Sequence, residues 1–98
     1  MDLVFEWNET KADLNLKRHK VSFDEAKTVY YDPFLLTFPD PFHSDEEDRY
    51  LNLGRSYMGQ ILVVIHTQRD EAIRIISARK ATRSEQRAYE EGDYDDYE

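Results

Sequence analysis

Residues 50–80 read YLNLGRSYMGQILVVIHTQRDEAIRIISARK, and their periodicity decides the fold. Apolar and polar residues alternate from Tyr50 to Tyr57, and Met58-Gly59 is a turn pair. Gln60 to Thr67 is a β-branched run, Gln68 to Glu71 is polar, and Ala72 to Lys80 is again apolar and β-branched. Connections this short join antiparallel strands and cannot carry a parallel crossover, so the segment predicts a three-stranded antiparallel meander. With a two-residue turn at Met58-Gly59, Tyr57 pairs with Gln60 and Leu53 with Val64; an even-numbered loop at Gln68 to Glu71 pairs His66 with Ile73. One face then carries Leu51, Leu53, Arg55, Leu62, Val64, His66, Ile73, Ile75, Ser77 and Arg79, and is the core face. The other carries Tyr50, Asn52, Gly54, Ser56, Ile61, Val63, Ile65, Arg74, Ile76 and Ala78, a shallow surface with Arg74 in its middle. A bulge would exchange these faces.

Downstream, Thr82-Arg-Ser-Glu85 is a capping box that opens a helix, and Gly92 can end it in the left-handed conformation. Upstream, Leu3 to Trp7 reads as a short strand or extended entry, and Asn8 caps a first helix over Glu9 to His19 with Ala12, Leu16 and His19 on one face. Ser22-Phe-Asp-Glu25 is another capping box. It starts a second helix that buries Phe23, Ala26, Val29 and Tyr30 and ends near Tyr31, because Pro33 pushes Asp32 out of the helical region. Phe34 to Phe38 returns to a strand pattern, Pro39 and Pro41 break it, and Phe42 to Asp48 is an acidic loop. The whole is α+β: an antiparallel sheet with two N-terminal helices and one C-terminal helix in a single domain over residues 1–91, followed by an acidic tail, 92–98, that has no aliphatic face to bury.

Ninety-eight residues hold one core, and with no cysteine neither disulfides nor thiolate metal sites contribute, which fits a reducing cytoplasm. Neither a signal peptide nor a membrane span is legible, since the longest aliphatic run is Ile61 to Ile65. The net charge of −8 argues at first against a nucleic-acid binder, but the average conceals two basic segments. Tyr89 to Glu98 has six acids and no base; Ala72 to Ala88 sets Arg74, Arg79, Lys80, Arg83 and Arg87 against Glu85 alone; Lys11 to Lys20 sets four bases against Asp13.

In order and spacing, Phe5-Glu-Trp7, Asn15-Leu-Lys-Arg-His19, Val21-Ser-Phe-Asp-Glu-Ala26, Glu47-Asp-Arg-Tyr50, Leu53-Gly-Arg-Ser56, Val63-Val-Ile-His-Thr67 and Arg74-Ile-Ile-Ser-Ala-Arg79, followed by Thr82 and Glu85 to Tyr89, resemble the BrnT family of type II toxins. The resemblance spans the chain to about Glu91 and is most specific from Arg74 into the capped helix. It implies a RelE-like fold with helices against one face of the sheet, and an endoribonuclease surface on or beside the other. It also implies an antitoxin partner of the BrnA type, which binds DNA through a ribbon-helix-helix domain, so that this chain meets DNA only through that partner, in an expected heterotetramer. Where the family usually has glycine after the first helix, this chain has Lys20; a positive φ there costs lysine ~1 kcal/mol. The acidic tail has no counterpart in the family pattern.

Metal-independent RNA cleavage needs a base for the 2′-hydroxyl, positive charge at the phosphate and an acid for the leaving oxygen. The three histidines, His19, His43 and His66, lack metal-ligand spacing, so no metal or other cofactor is expected and arginine is the informative residue. The candidate catalytic residues are Arg74, Arg79, His66 and Tyr89; the candidate RNA-binding residues are Lys17, Arg18, His19, Lys80 and Arg83. Each also has a structural reading. Arg74 can be a partner for a neighbouring acid, His66 a hydrogen-bonded core residue, His19 a cation closing the first helix, Tyr89 a ring packed on the sheet, and Glu47 with Arg49 an ion pair at a strand mouth. From a different class, the chain could be a non-catalytic binding module that serves as corepressor partner of the DNA-binding antitoxin.

Overall fold

The computed structural model describes residues 2–40 and 47–92. The acidic loop predicted from Phe42 lies outside them apart from Glu47 and Asp48, and so does the acidic tail beyond Gly92. In chain order the elements are β1 (Val4–Glu6), α1 (Glu9–His19), α2 (Phe23–Ala26) continued by a 3₁₀ segment (Lys27–Tyr31), β2 (Leu36–Pro39), β3 (Arg49–Arg55), β4 (Ile61–Arg69), β5 (Ala72–Lys80) and α3 (Arg83–Glu91). The strands form one sheet ordered β1-β5-β4-β3-β2. The antiparallel meander is present as β3-β4-β5, and β2 extends it antiparallel. β1 departs from the prediction by joining parallel to β5, with Val4 opposite Ala72 and Glu6 opposite Arg74.

The register differs from the predicted one by a single residue, with large consequences. Ser56 N–H donates to the Gln60 carbonyl at 2.8 Å and Gly59 N–H to the Ser56 carbonyl at 2.9 Å, so the turn has three residues, Tyr57-Met58-Gly59. Its last residue takes φ 82°, the left-handed position of a three-residue hairpin, which suits glycine. Leu53 therefore faces Val63, and Gly54 faces Leu62. Because side chains alternate, that slip inverts the whole of β3 relative to β4. A bulge does the same within β5: His66 pairs with Ile75 but Ile65 with Ser77, leaving Ile76 as the extra residue.

Two cores result. One, built from Val21, Phe23, Ala26, Val29, Leu62, Val64, Ile75 and Ala78, lies between the sheet and α1/α2; the other, Leu53, Val63, Ala81, Ala88 and Tyr89, lies under α3. The helices thus pack on both faces, where the family resemblance implied one. Burying a residue such as Phe23 or Leu62 contributes roughly 1.5–3 kcal/mol, so the Leu53–Val63 inversion is what gives α3 an apolar seat.

α1 has the predicted bounds and the Asn8 cap, whose side chain accepts from the Lys11 amide. Its buried face is not the predicted one, since Leu16 is exposed and Asn15 is buried. The Asn15 amide donates to the carbonyls of Val21 (3.0 Å) and Ala78 (2.8 Å), and its oxygen accepts from the Ala78 amide (3.1 Å). A side chain thereby completes the ladder at β5 and staples α1 to it. Lys20 closes α1 at φ 61°, so the condition under which lysine costs ~1 kcal/mol relative to glycine is met.

Ser22 caps α2 by accepting from the Glu25 amide, but Glu25 does not reach back to complete a capping box. Its buried carboxylate accepts from the Ser56 hydroxyl at 2.7 Å and the Gln60 amide at 2.8 Å, tying α2 to the β3–β4 turn. α3 has the full capping box at Thr82 and Glu85 and ends at Gly92 with φ 70°. No helix among the described residues is long and apolar enough to cross a membrane.

Candidate nucleic-acid interface

The basic segment from Ala72 to Ala88 crosses from β5 into α3, and the corner it makes faces the β3–β4 turn. A cleft of ≈ 320 Å³ opens there, lined by Arg55, Gly59, Gln60, Ile61, Lys80, Gln86 and Glu90. Arg55 ends β3, Ile61 begins β4, Lys80 ends β5, and Gln86 and Glu90 are one turn apart on α3, so four elements and the β3–β4 turn supply the walls. Arg83, the first residue of α3, is exposed and lies three residues beyond Lys80 in the chain.

Arg79 is held beside the cleft by a forked contact, its two terminal nitrogens donating to Glu85 Oε1 (2.7 Å) and Oε2 (2.8 Å). Glu85 is buried and also accepts from the Thr82 amide at 2.7 Å, so helix cap and arginine share one carboxylate. Such a bidentate, charge-assisted pair fixes the guanidinium plane, and its side chain keeps 38% of its surface exposed.

Arg55 lies over the Tyr89 ring, 5.7 Å from its centre. The Tyr89 hydroxyl donates to Asp32 Oδ2 at 2.6 Å, and Asp32 also accepts the backbone amides of Arg55 (2.8 Å) and Phe34 (2.9 Å). Burial raises the Asp32 pKa, but these hydrogen bonds, Tyr89's first, outweigh it and leave the carboxyl below its ordinary value. The Tyr89 phenol is raised, by burial and then by the Asp32 carboxylate. The ring therefore positions Arg55 and anchors α3, with its proton committed to Asp32.

The predicted catalytic residues do not assemble at one point. Arg79 and Tyr89 share the α3 corner. Arg74 sits on the same face, opposite Thr67, while Arg79 is opposite Val63; four residues of strand put them roughly 13 Å apart. Arg74 donates to Glu6 at 2.8 Å, an ion pair with part-exposed partners.

His66 is on the other face, where its Nδ1 meets the Tyr30 hydroxyl (2.8 Å) and the Asn52 amide (2.7 Å) and its ring stacks on Tyr50. The Asn52 oxygen accepts from the Thr37 hydroxyl, which leaves its NH₂ as the donor to Nδ1 and the ring proton on Nε2. Burial pushes the His66 pKa down to about 4 and drives the Tyr30 phenol upward. A neutral imidazole with its acceptor nitrogen engaged is a hydrogen-bonding core residue and a poor base.

Lys17 and Arg18 are exposed on α1, with His19 half-buried behind them. Glu47 accepts from Arg69 at 3.2 Å, and the predicted partner Arg49 adds a charge interaction that helps to lower the Glu47 pKa. Residues missed in the sequence are Asp32, Gln60 and the buried Glu85, together with Arg55, which the predicted register had placed in the core. The signal for Asp32 was its place before Pro33, a break in the helix that leaves a short acid free to bind backbone amides.

Residues 7–85 match the model of the family described as "Ribonuclease toxin, BrnT, of type II toxin-antitoxin system". Curated protein sequences give no match. Among solved structures, the chain is similar to the 1.1 Å crystal structure of the Brucella abortus ribonuclease toxin BrnT, at 21% identity and a TM-score of 0.66, covering 84% of this chain and 100% of that one. That likeness shows a shared fold, and the family match over most of the chain shows the kinship: this protein belongs to the BrnT family of ribonuclease toxins of type II toxin–antitoxin systems.

Proposed function

We propose that the chain is a metal-independent endoribonuclease of the cytoplasm that holds RNA phosphates in the cleft between α3 and the β3–β4 turn. The observation that carries this is the convergence there of Arg55 and Lys80, with Arg79 and Arg83 beside them, in a protein whose overall charge is negative. A local positive field of this kind draws in a polyanion that the molecule as a whole would repel. Arg55 and Lys80 meet the phosphate, Arg79 is oriented by Glu85 to stabilise charge as it builds on the phosphoryl oxygens, and Glu90 is the carboxylate on the cleft wall available to take the 2′-hydroxyl proton. Arg74, together with Lys17, Arg18 and His19, extends the contact to flanking phosphates. His66 supports the fold.

The partner is a BrnA-like antitoxin that covers this cleft, blocks phosphate entry and binds DNA on behalf of the pair, in a two-plus-two complex. Cleavage of a labelled RNA by the purified chain should persist in EDTA and fall at least a hundredfold in the Arg55→Ala/Lys80→Ala double variant. Activity abolished by chelation and restored by zinc or magnesium would refute the metal-independent chemistry. Light scattering of the co-expressed pair should give the mass of a heterotetramer, and a one-to-one complex would reject that stoichiometry.

A further inference from the structure

Two aromatic rings stand in solvent next to the cationic cleft, Phe34 at 73% exposure and Tyr57 at 74%. A single exposed ring is ordinary, but these two have backbones pinned to the cleft's own framework. The Phe34 amide donates to the same Asp32 carboxylate that binds the Arg55 amide and the Tyr89 hydroxyl. The Tyr57 amide donates to Thr28 Oγ1 at 2.9 Å, and Tyr57 is two residues from Gly59 in the turn that lines the cleft. Tyr31, also exposed, is engaged by Phe5 at 6.3 Å and is not part of the pair. Exposed rings carried on hydrogen-bonded backbone close to a cationic cleft match the two features of an unpaired polynucleotide, its charged backbone and its π faces.

We propose that Phe34 and Tyr57 are a stacking platform for the bases of single-stranded RNA, making unpaired RNA the substrate class of the cleft. The inference rests on the cleft being the RNA site. In a duplex the bases are already stacked and paired, so the rings have nothing to receive and only the phosphates remain to be held.

The test is fluorescence anisotropy with an uncleavable 2′-O-methyl oligoribonucleotide presented as a single strand, as a duplex, and as a strand with abasic positions. The proteins are the parent chain, Phe34→Ala, Tyr57→Ala, Tyr57→Phe and the Arg55→Ala/Lys80→Ala double variant, each checked by thermal melting. Each alanine variant should bind the single strand about tenfold more weakly and leave abasic and duplex affinity unchanged. Tyr57→Phe should bind as the parent does, and the cation variant should lose affinity for all three. Aromatic variants that match the parent, while the cation variant weakens, would overturn the platform and leave the cleft standing. Equal losses on the abasic strand would also overturn it, and a cation variant with parental affinity for every RNA would overturn cleft and platform together. Unchanged RNA affinity with loss of the co-purifying antitoxin would assign the rings to a protein partner, which equally rejects the proposal.

Discussion

His66 should make this protein lose stability on mild acidification, well before its carboxylates are protonated. The side chain is 7% exposed and its pKa is pushed from 6.5 to about 4 by burial. The unfolded chain, with its ordinary histidine pKa, therefore binds a proton that the folded chain refuses between those two values, and stability falls as pH falls through that window. At about 1.4 kcal/mol per unit the whole window is worth about 3 kcal/mol, of which about 2 kcal/mol is gone by pH 5. Asp32 and Glu47 have lowered pKa values; their stabilising contributions are complete above the ordinary carboxylate values and are lost as pH falls through the lowered ones, so at pH 5 and above the loss comes from the histidine. Urea unfolding of the parent chain and of His66→Asn at pH 7.5, 6, 5 and 4.5 isolates the effect. Asparagine offers an acceptor to Asn52 and Tyr30 but does not titrate, so the parent's stability relative to the variant's should fall by about 2 kcal/mol between about pH 7.5 and pH 5. Parallel curves for the two proteins would refute a buried neutral histidine.

Lys20→Gly should raise the melting temperature by roughly 4–8 °C, the equivalent of ~1 kcal/mol, because φ 61° costs lysine what glycine does not pay; thermal circular dichroism checks it. Gly54→Ala should destabilise by ~1–3 kcal/mol in urea titration, since a Cβ there would lie 2.8 Å from Leu35 Cδ1 and 3.1 Å from Val29 Cβ, inside the packed core. Asn15→Ala should cost about 3 kcal/mol, as it leaves the Ala78 amide and carbonyl at the sheet edge of α1 without their side-chain partner. Hydrogen exchange should then rise most at Ala78.

The element order was legible because local chemistry specified it: Asn8, Ser22 and Thr82 cap as read, Pro33 and Gly92 stop helices, and the strand periods of β3, β4 and β5 are strong. The faces were not. A two-residue and a three-residue turn at Met58-Gly59 differ by one residue, and the difference decides whether Arg55 enters the core or the cleft. The Ile76 bulge leaves no trace in an unbroken β-branched run. Glu25 was misread because a local capping box and a long-range bond to Ser56 compete for one carboxylate, and burial decides between them. Of the candidate site, the basic corner at Arg79, Lys80 and Arg83 is visible in the sequence as charge clustering, and His66 reads there as a hydrogen-bonded core residue as well as a candidate base. Asp32 acts through distant partners that only the fold brings near, whereas Glu85 was legible as a cap but not as the partner of Arg79.

The corner that binds α3 to Asp32 joins residues 57 apart in sequence, and the outer pairing of Glu6 with Arg74 joins residues 68 apart. Contacts that distant form only after the intervening chain exists, and synthesis runs at about 5–20 residues per second from the N-terminus. Arg79, Lys80, Glu85 and Tyr89 all follow β4 in the chain. A nascent chain therefore has no assembled cleft until α3 has been made. The topology thus makes the proposed RNA cleft assemble later than the first four strands and both N-terminal helices, because β5 and α3 follow them in the chain.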